Sequence, residues 1–272
     1  MQNVSIPLFV SSDPLLGAFN INAGVSRFDV QFKNSIEIPD DAQNITLQLT
    51  QSTVFWTVLN VKAGINDLFH LITTDGGSPF TLTIPPGLYA PIDLNDAISR
   101  GLINAGVSGD YVTLTADNST GKILLTLDSA GLQVDWIPQS FFSLLGFNAG
   151  QLVPAGGVTT GQFSELAPNV AAFSDVSSFL AHTDLLQSGI PIGDLEAQVL
   201  AQIQITVPPG SQINFQPQNP IKLSVNHLRG QIINQATFFI TDQLNREVDF
   251  NTENFTMLVE LKYLAKETAE GE

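Results

Sequence analysis

The chain has 272 residues and carries Lys+Arg 10 against Asp+Glu 26, a formal net charge of -16 at pH 7. Hydrophobic residues at 43% exclude a disordered chain, and basic residues that never cluster exclude an electrostatic footprint for nucleic acid or an anionic membrane. The absence of cysteine excludes disulfides, thiolate metal sites and a Cys nucleophile.

This length fits one large domain or two small ones. Charged residues are only 13%, about half the usual ~25%, so the polar surface is built from Asn, Gln, Ser and Thr. Such a surface suits packing against other subunits. Met1 to Pro7 has neither a basic segment nor a continuous apolar one, so no signal peptide is expected. No uncharged apolar run approaches the ~20 residues of a membrane-spanning helix. The expectation is a soluble protein made inside the cell. Its glycosylation sequons at Asn3, Asn44, Asn118 and Asn254 read as chance products of an Asn- and Thr-rich composition.

Along the chain, period-two alternation marks strands at Phe28-Val30-Phe32 and Ile45-Leu47-Leu49, separated by the turn Pro39-Asp40-Asp41. The middle of the chain changes character. Phe80 to Ile84 predicts a short strand ended by Pro85-Pro86-Gly87, and Asp93 is placed as the N-cap of a helix over Leu94 to Leu102. Tyr111 to Ala116 and Lys122 to Leu127 predict a hairpin around the turn Asp117 to Gly121. A helical turn from Ser140 to Leu145, stopped by Gly146, completes a compact α+β module over residues 76–150.

Residues 151–161, with Pro154 and Gly156-Gly157, read as a linker. Alternation then returns at Val199-Ala201-Ile203-Ile205-Val207, Ile221-Leu223-Val225 and Met257-Val259-Leu261-Tyr263, with turns at Pro208-Pro209-Gly210 and Gln218-Asn219-Pro220. The economical arrangement is one all-β sandwich from residues 1–75 and 162–265, interrupted by the 76–150 module. Residues 266–272 read as an acidic tail.

No residue stands out as a catalytic, metal-binding or cofactor-binding candidate. His70, His182 and His227 lack metal-ligand spacing and read as structural or surface histidines. Asp40-Asp41, Asp175 with Asp184, and Glu247 with Asp249 are carboxylate groupings, but nothing selects one as an acid-base pair. Asp117 to Gly121 superficially resembles a calcium loop, yet Asp128 stands where a bidentate Glu would be needed, so a turn is the preferred reading. Gly156 to Gly161 lacks the Lys of a phosphate loop, and there is no G-x-S-x-G elbow. The expectation is therefore not an enzyme, with no cofactor and no metal.

Phenylalanine outnumbers the other aromatics, Phe 18 against Trp 2 and Tyr 3, which favours cores and dry interfaces over ligand-reading surfaces. Phe55-Trp56, Phe141-Phe142 and Phe238-Phe239 place adjacent rings on opposite faces of any strand that holds them. Either both faces are covered or one ring meets a neighbouring subunit, and burial is the preferred reading.

Several segments together resemble the penton, or minor capsid, proteins of virophages and Polinton-like DNA viruses. In the module these are Phe80 to Tyr89 (FTLTIPPGLY), Leu94 to Ile98 (LNDAI) and Phe141 to Phe147 (FFSLLGF). Later come Phe179 to Leu185 (FLAHTDL), Pro217 to Pro220 (PQNP), and Phe238 to Asp249 (FFITDQLNREVD) running into Met257 to Tyr263 (MLVELKY). The Thr-Asp-Gln turn before the closing strand is the most specific of them. The resemblance implies a single eight-stranded jelly-roll sandwich carrying a small α+β insertion. It further implies a virion protein that forms homopentamers at icosahedral vertices, surrounded by trimers of a double-jelly-roll major capsid protein. The inserted module would face outward, where a host receptor is a further candidate partner. Two alternatives stay open: a compact double-jelly-roll major capsid protein, and a receptor- or carbohydrate-binding fibre head. Neither the residues nor the resemblance identifies interface residues.

Overall fold

The computed structural model describes residues 1–22, 24, 26–73, 80–173, 176–191 and 198–266. The chain forms two compact units, Met1–Val58 with Val176–Glu272, and Leu59–Asp175. In chain order the strands are β1 (Gln2–Ser11), β2 (Ala18–Phe19), β3 (Arg27–Glu37), β4 (Gln43–Phe55), β5 (Leu68–Thr73) and β6 (Phe80–Thr83). They continue with β7 (Val112–Asp117), β8 (Lys122–Leu127), β9 (Leu132–Asp135), β10 (Leu152–Val153), β11 (Phe163–Leu166) and β12 (Ser178–Thr183). The last are β13 (Val199–Gln204), β14 (Gln212–Phe215), β15 (Leu223–Ser224), β16 (Ile232–Asp242) and β17 (Thr256–Ala265). Two α-helices, α1 (Pro91–Asn104) and α2 (Phe142–Leu145), lie between β6 and β10.

The first unit is a two-sheet sandwich. One sheet has the order β1-β17-β4-β14, with β15 also paired to β4, and the other has the order β13-β12-β16-β3-β2. Counting β14 and β15 as one interrupted strand and β2 as an edge addition, eight strand positions pass between the sheets in the order of a single jelly roll, with the consecutive strands β12 and β13 paired in the second sheet. All pairings are antiparallel. The core lies between the sheets, where alternate residues of each strand meet, including Leu47, Phe179, Phe238 and Met257. Phe28 stacks on Phe238 with ring centroids 6.0 Å apart and meets Phe255 edge-on at 5.2 Å. Burying each ring is worth roughly 1.5–3 kcal/mol.

Strand β1 is the edge of its sheet and contains Pro7, opposite Glu260. The Ser12 N–H bonds to the Phe255 carbonyl at 3.0 Å, so even-numbered residues turn their donors toward β17. Pro7 therefore shares the open edge with Asn3, Ser5 and Phe9, the one orientation in which a strand loses nothing by holding a proline.

The second unit is larger than the expected 76–150 module. Strand β5, assigned from sequence to the sandwich, instead pairs with β6 and β9, and β11 pairs with β8. Residues 151–161 do not run as a linker. Leu152 and Val153 pair with β9, and buried Thr159 accepts the Leu132 N–H at 2.9 Å while donating to the Ser129 carbonyl at 2.5 Å. The glycines there admit a loop, but one packed into the unit by its own polar groups. Two sheets, β10-β9-β5-β6 and β11-β8-β7, and helix α1 enclose a separate core around Phe69, Trp136, Phe141 and Phe147. Sheets of four and three strands do not make a second jelly roll. The expected boundary at residue 76, Asp175, and tail residues 267–272 fall outside the described residues.

Helix α1 also begins earlier than expected. Pro91 occupies its first turn, where its missing N–H costs nothing, and Asp93 sits at the third position. The Asp93 carboxylate accepts the Ala90 N–H at 3.1 Å, so it braces the helix start from inside rather than capping it from outside. Leu94, Ala97, Ile98 and Leu102 are the buried face. Helix α2 ends at Gly146, which is left-handed (φ 84) and so tightly approached that a Cβ would lie 2.2 Å from the Asn169 carbonyl oxygen.

Asn60 draws the two ends of this unit together. Its Nδ2 donates to the carbonyls of Tyr89 (2.8 Å) and Phe173 (3.1 Å), and its Oδ1 accepts the Tyr89 N–H at 2.9 Å. An insertion must return the chain close to where it left, and one side chain spans that gap. Asn60→Ala leaves these backbone groups without their partner and is expected to destabilise the second unit by about 1–3 kcal/mol. Unfolding followed by hydrogen exchange should show protection lost in β5 to β11 while the sandwich strands keep theirs.

Candidate functional site

The outward face of the second sandwich sheet carries the most organised group of polar side chains. Phe238 points into the core, so Phe239 points away from it, and the register sets Arg27 of β3 and His182 of β12 directly beside it. The Arg27 guanidinium lies over the Phe239 ring, 4.0 Å from its centroid. The His182 ring stacks on Phe239 at 4.4 Å and 5°. A cation and an imidazole thus cover the phenylalanine that sequence analysis left to a neighbouring subunit or a covered face. Of the other pairs, Phe141 is buried and Phe142 half-buried, while Phe55 and Trp56 are both half-buried.

His182 is 1% exposed. Its Nε2 lies 2.8 Å from the Thr241 hydroxyl, and the ring also hydrogen-bonds the Gln198 backbone. Burial, helped by the Arg27 charge, pushes its pKa down to about 4. The imidazole is therefore neutral at physiological pH. Both of its ring partners belong to the same sheet and the segment leading into it, so the imidazole ties β12 to β16 and to the start of β13.

The turn after β16, the segment singled out as most specific in the sequence, builds the rim. Buried Asp242 accepts the N–H groups of Leu244 and Arg246, each at 2.9 Å, and pairs with Arg246 Nε at 2.7 Å. Asn245 adopts a left-handed conformation (φ 61) that reverses the chain. Glu247 then returns beside Thr241 and accepts Arg27 Nε at 2.9 Å and Asn22 Nδ2 at 3.3 Å. Arg27, Asn245 and Glu247, together with Gln187 and Gln198 and the His182–Phe239 stack, line a cleft of about 520 Å³.

The other sequence candidates do not converge. His70 lies 3.3 Å from Asp135, an isolated pair in the second unit, and His227 is half-buried in a short helical turn. Glu247 belongs to the cleft, whereas Asp249 accepts the Asn251 N–H in the following loop. Asp184 accepts the Thr237 N–H, and the Asp40-Asp41 turn is exposed. Asp117 accepts hydrogen bonds from Ser119 Oγ and Thr120 Oγ1, both at 2.6 Å, and from the Ser119 N–H. These bonds, Ser119's first, hold its carboxyl below the usual range and occupy the oxygens that a cation would need. Among the described residues no cluster of three or more metal-ligating side chains occurs, and no helix is long and apolar enough to cross a membrane.

The depressed His182 pKa makes stability depend on pH. The unfolded chain binds this proton near the ordinary value of 6.5, while the folded chain resists it until about 4. The contribution is complete above pH 6.5 and is lost as pH falls toward 4, by up to about 3 kcal/mol. Denaturant titrations across this range should show a steeper decline for the native chain than for His182→Gln. Parallel curves would show that His182 is not the group responsible.

No protein-family model matches the chain, and no curated protein matches it. Among solved structures, it is similar to the mavirus penton protein at 14% identity, over 97% of this chain and 100% of that one, with a TM-score of 0.43. It is also similar to a chain of the Sputnik virophage, solved by cryo-EM, at 12% identity over 99% of both chains with a TM-score of 0.40.

Proposed function

We propose that this chain is a structural virion protein, a penton or minor capsid subunit that forms homopentamers at icosahedral vertices and performs no catalysis. The observation that carries the reading is the interrupted jelly roll: a complete single sandwich with a second unit inserted between β4 and β12. That is the arrangement implied by the sequence resemblance. A jelly roll alone is compatible with capsid, lectin and enzyme functions, so the insertion and the quoted motifs supply the discrimination. Trimers of a double-jelly-roll major capsid protein are the proposed lateral partners, and the inserted unit is the proposed host-facing element.

Pentamer assembly would use a heterologous contact, in which one patch of each subunit meets a different patch of the next and the ring closes at five. The turn Pro14–Leu16 offers such a patch. Leu15 is 91% exposed and Leu16 59% exposed, and the turn is fixed by Asp13 Oδ1, which accepts the Leu15 N–H at 2.9 Å. A rigid apolar knob binds with little loss of conformational freedom.

Native mass spectrometry of the purified chain should show pentamers, or its incorporation into shells when a double-jelly-roll major capsid protein is co-expressed. Leu15→Ser with Leu16→Ser should reduce either form at least tenfold without changing the melting temperature. A chain that stays monomeric and is excluded from shells overturns the assignment.

A further inference from the structure

The cleft bounded by Arg27, Gln187, Gln198, Asn245 and Glu247 belongs wholly to the sandwich, and nothing in the assembly reading uses it. Its volume of about 520 Å³ lies within the usual range for small-molecule sites, roughly 300–1,000 Å³. The chemistry of its lining excludes most ligand classes in turn. Anions meet the Glu247 carboxylate and a chain of net charge -16, while the one cation in the lining, Arg27, is already paired with that carboxylate. Cations find a single carboxylate whose charge is met by Arg27 and whose second oxygen accepts Asn22 Nδ2. Flat apolar ligands need an open ring face, and Arg27 and His182 cover Phe239.

What remains matches hydroxyl groups. Three side-chain amides line the cleft: Gln198 Nε2 donates to the Leu186 carbonyl and Asn245 Oδ1 accepts the Thr241 hydroxyl, which leaves the Gln198 acceptor, the Asn245 donor and both groups of exposed Gln187 to match hydroxyls. The Arg27–Glu247 pair adds a fixed donor beside a fixed acceptor, the pattern that two adjacent hydroxyls satisfy together. We propose that this cleft is a binding site for a neutral saccharide. The site binds without cleaving: glycoside hydrolysis ordinarily uses two carboxyl groups, and Glu247 is the only one in the lining. His182 cannot serve as the second acid-base group, because Thr241 and the Gln198 backbone engage it.

The inference stands apart from the virion reading, and a test on the full-length chain distinguishes the two. Saturation-transfer NMR with D-glucose, D-galactose, D-xylose, N-acetylglucosamine and N-acetylgalactosamine should detect binding of at least one of them. N-acetylneuraminic acid, which is anionic, should give less transfer than the best neutral sugar. Glu247→Gln and Gln187→Ala should each weaken that binding at least fivefold. Both positions are exposed, and unchanged circular dichroism and melting would show an intact fold. No transfer from any of the five neutral sugars, binding unaffected by either variant, or a preference for the anionic sugar overturns the proposal. A chain that binds a sugar and never assembles would sustain this inference while overturning the penton reading, and the reverse result would do the opposite.

Discussion

The pairing of the last strand between the first and the fourth is the constraint on which the sandwich depends. Strand β17 is bonded on one side to β1 and on the other to β4, so the first sheet stays open until residues 256–265 arrive. Its inward side chains, Met257, Val259 and Leu261, are all 0–1% exposed and fill the centre of the core. Such a topology is dominated by contacts between distant parts of the chain, which slows folding because loop closure precedes the reward. It also explains why an insertion after β4 is tolerated. The partners of β4 are β14, β15 and β17, none of which follows it directly, so a hundred residues can intervene without disturbing a hairpin.

Charge is scarce in this chain, and the few ions present hold turns and strand faces in register. Arg246 secures the turn at Asp242, Arg27 secures Glu247, and Lys262 with Ser5 and Gln48 surrounds Glu260 on the outer face of the first sheet. Exposed pairs of this kind add little stability individually, whereas truncating Arg246 would take the guanidinium from a carboxylate that is only 3% exposed and leave it to the backbone N–H groups of the turn. Elsewhere amides and hydroxyls do the equivalent job. Asn60 joins the ends of the second unit, and Thr159 folds a glycine-rich loop back onto β9.

Strands with one buried face were legible in the sequence because alternation records burial directly, as in Met257 to Tyr263, whereas in the strand from Val199 the intervening Leu200 is buried as well. The limits of the inserted unit were not. Leu68 to Thr73 has the composition of a sandwich strand, and only its partners, β6 and β9, reveal where it belongs. The helix start was misplaced because Asp93 is a good N-cap residue at a position where the chain was already helical behind Pro91. The cleft was invisible for a different reason. Arg27, His182 and Phe239 come from three distant strands, and only the sheet register makes them neighbours. The one signal available was the Asp242 to Glu247 turn, which the sequence marked as specific without showing what it encloses.

Pro7 has a consequence that reaches beyond a single subunit. A long strand without charged residues at the rim of a sheet is a template on which a second chain can crystallise its backbone, the first step toward fibres. Pro7 removes a donor from the middle of that rim, and a continuous ladder across it cannot form. Along this edge a neighbouring chain can be held by side chains, whose shapes fix an angle, and not by an uninterrupted backbone ladder that would let an array grow without end.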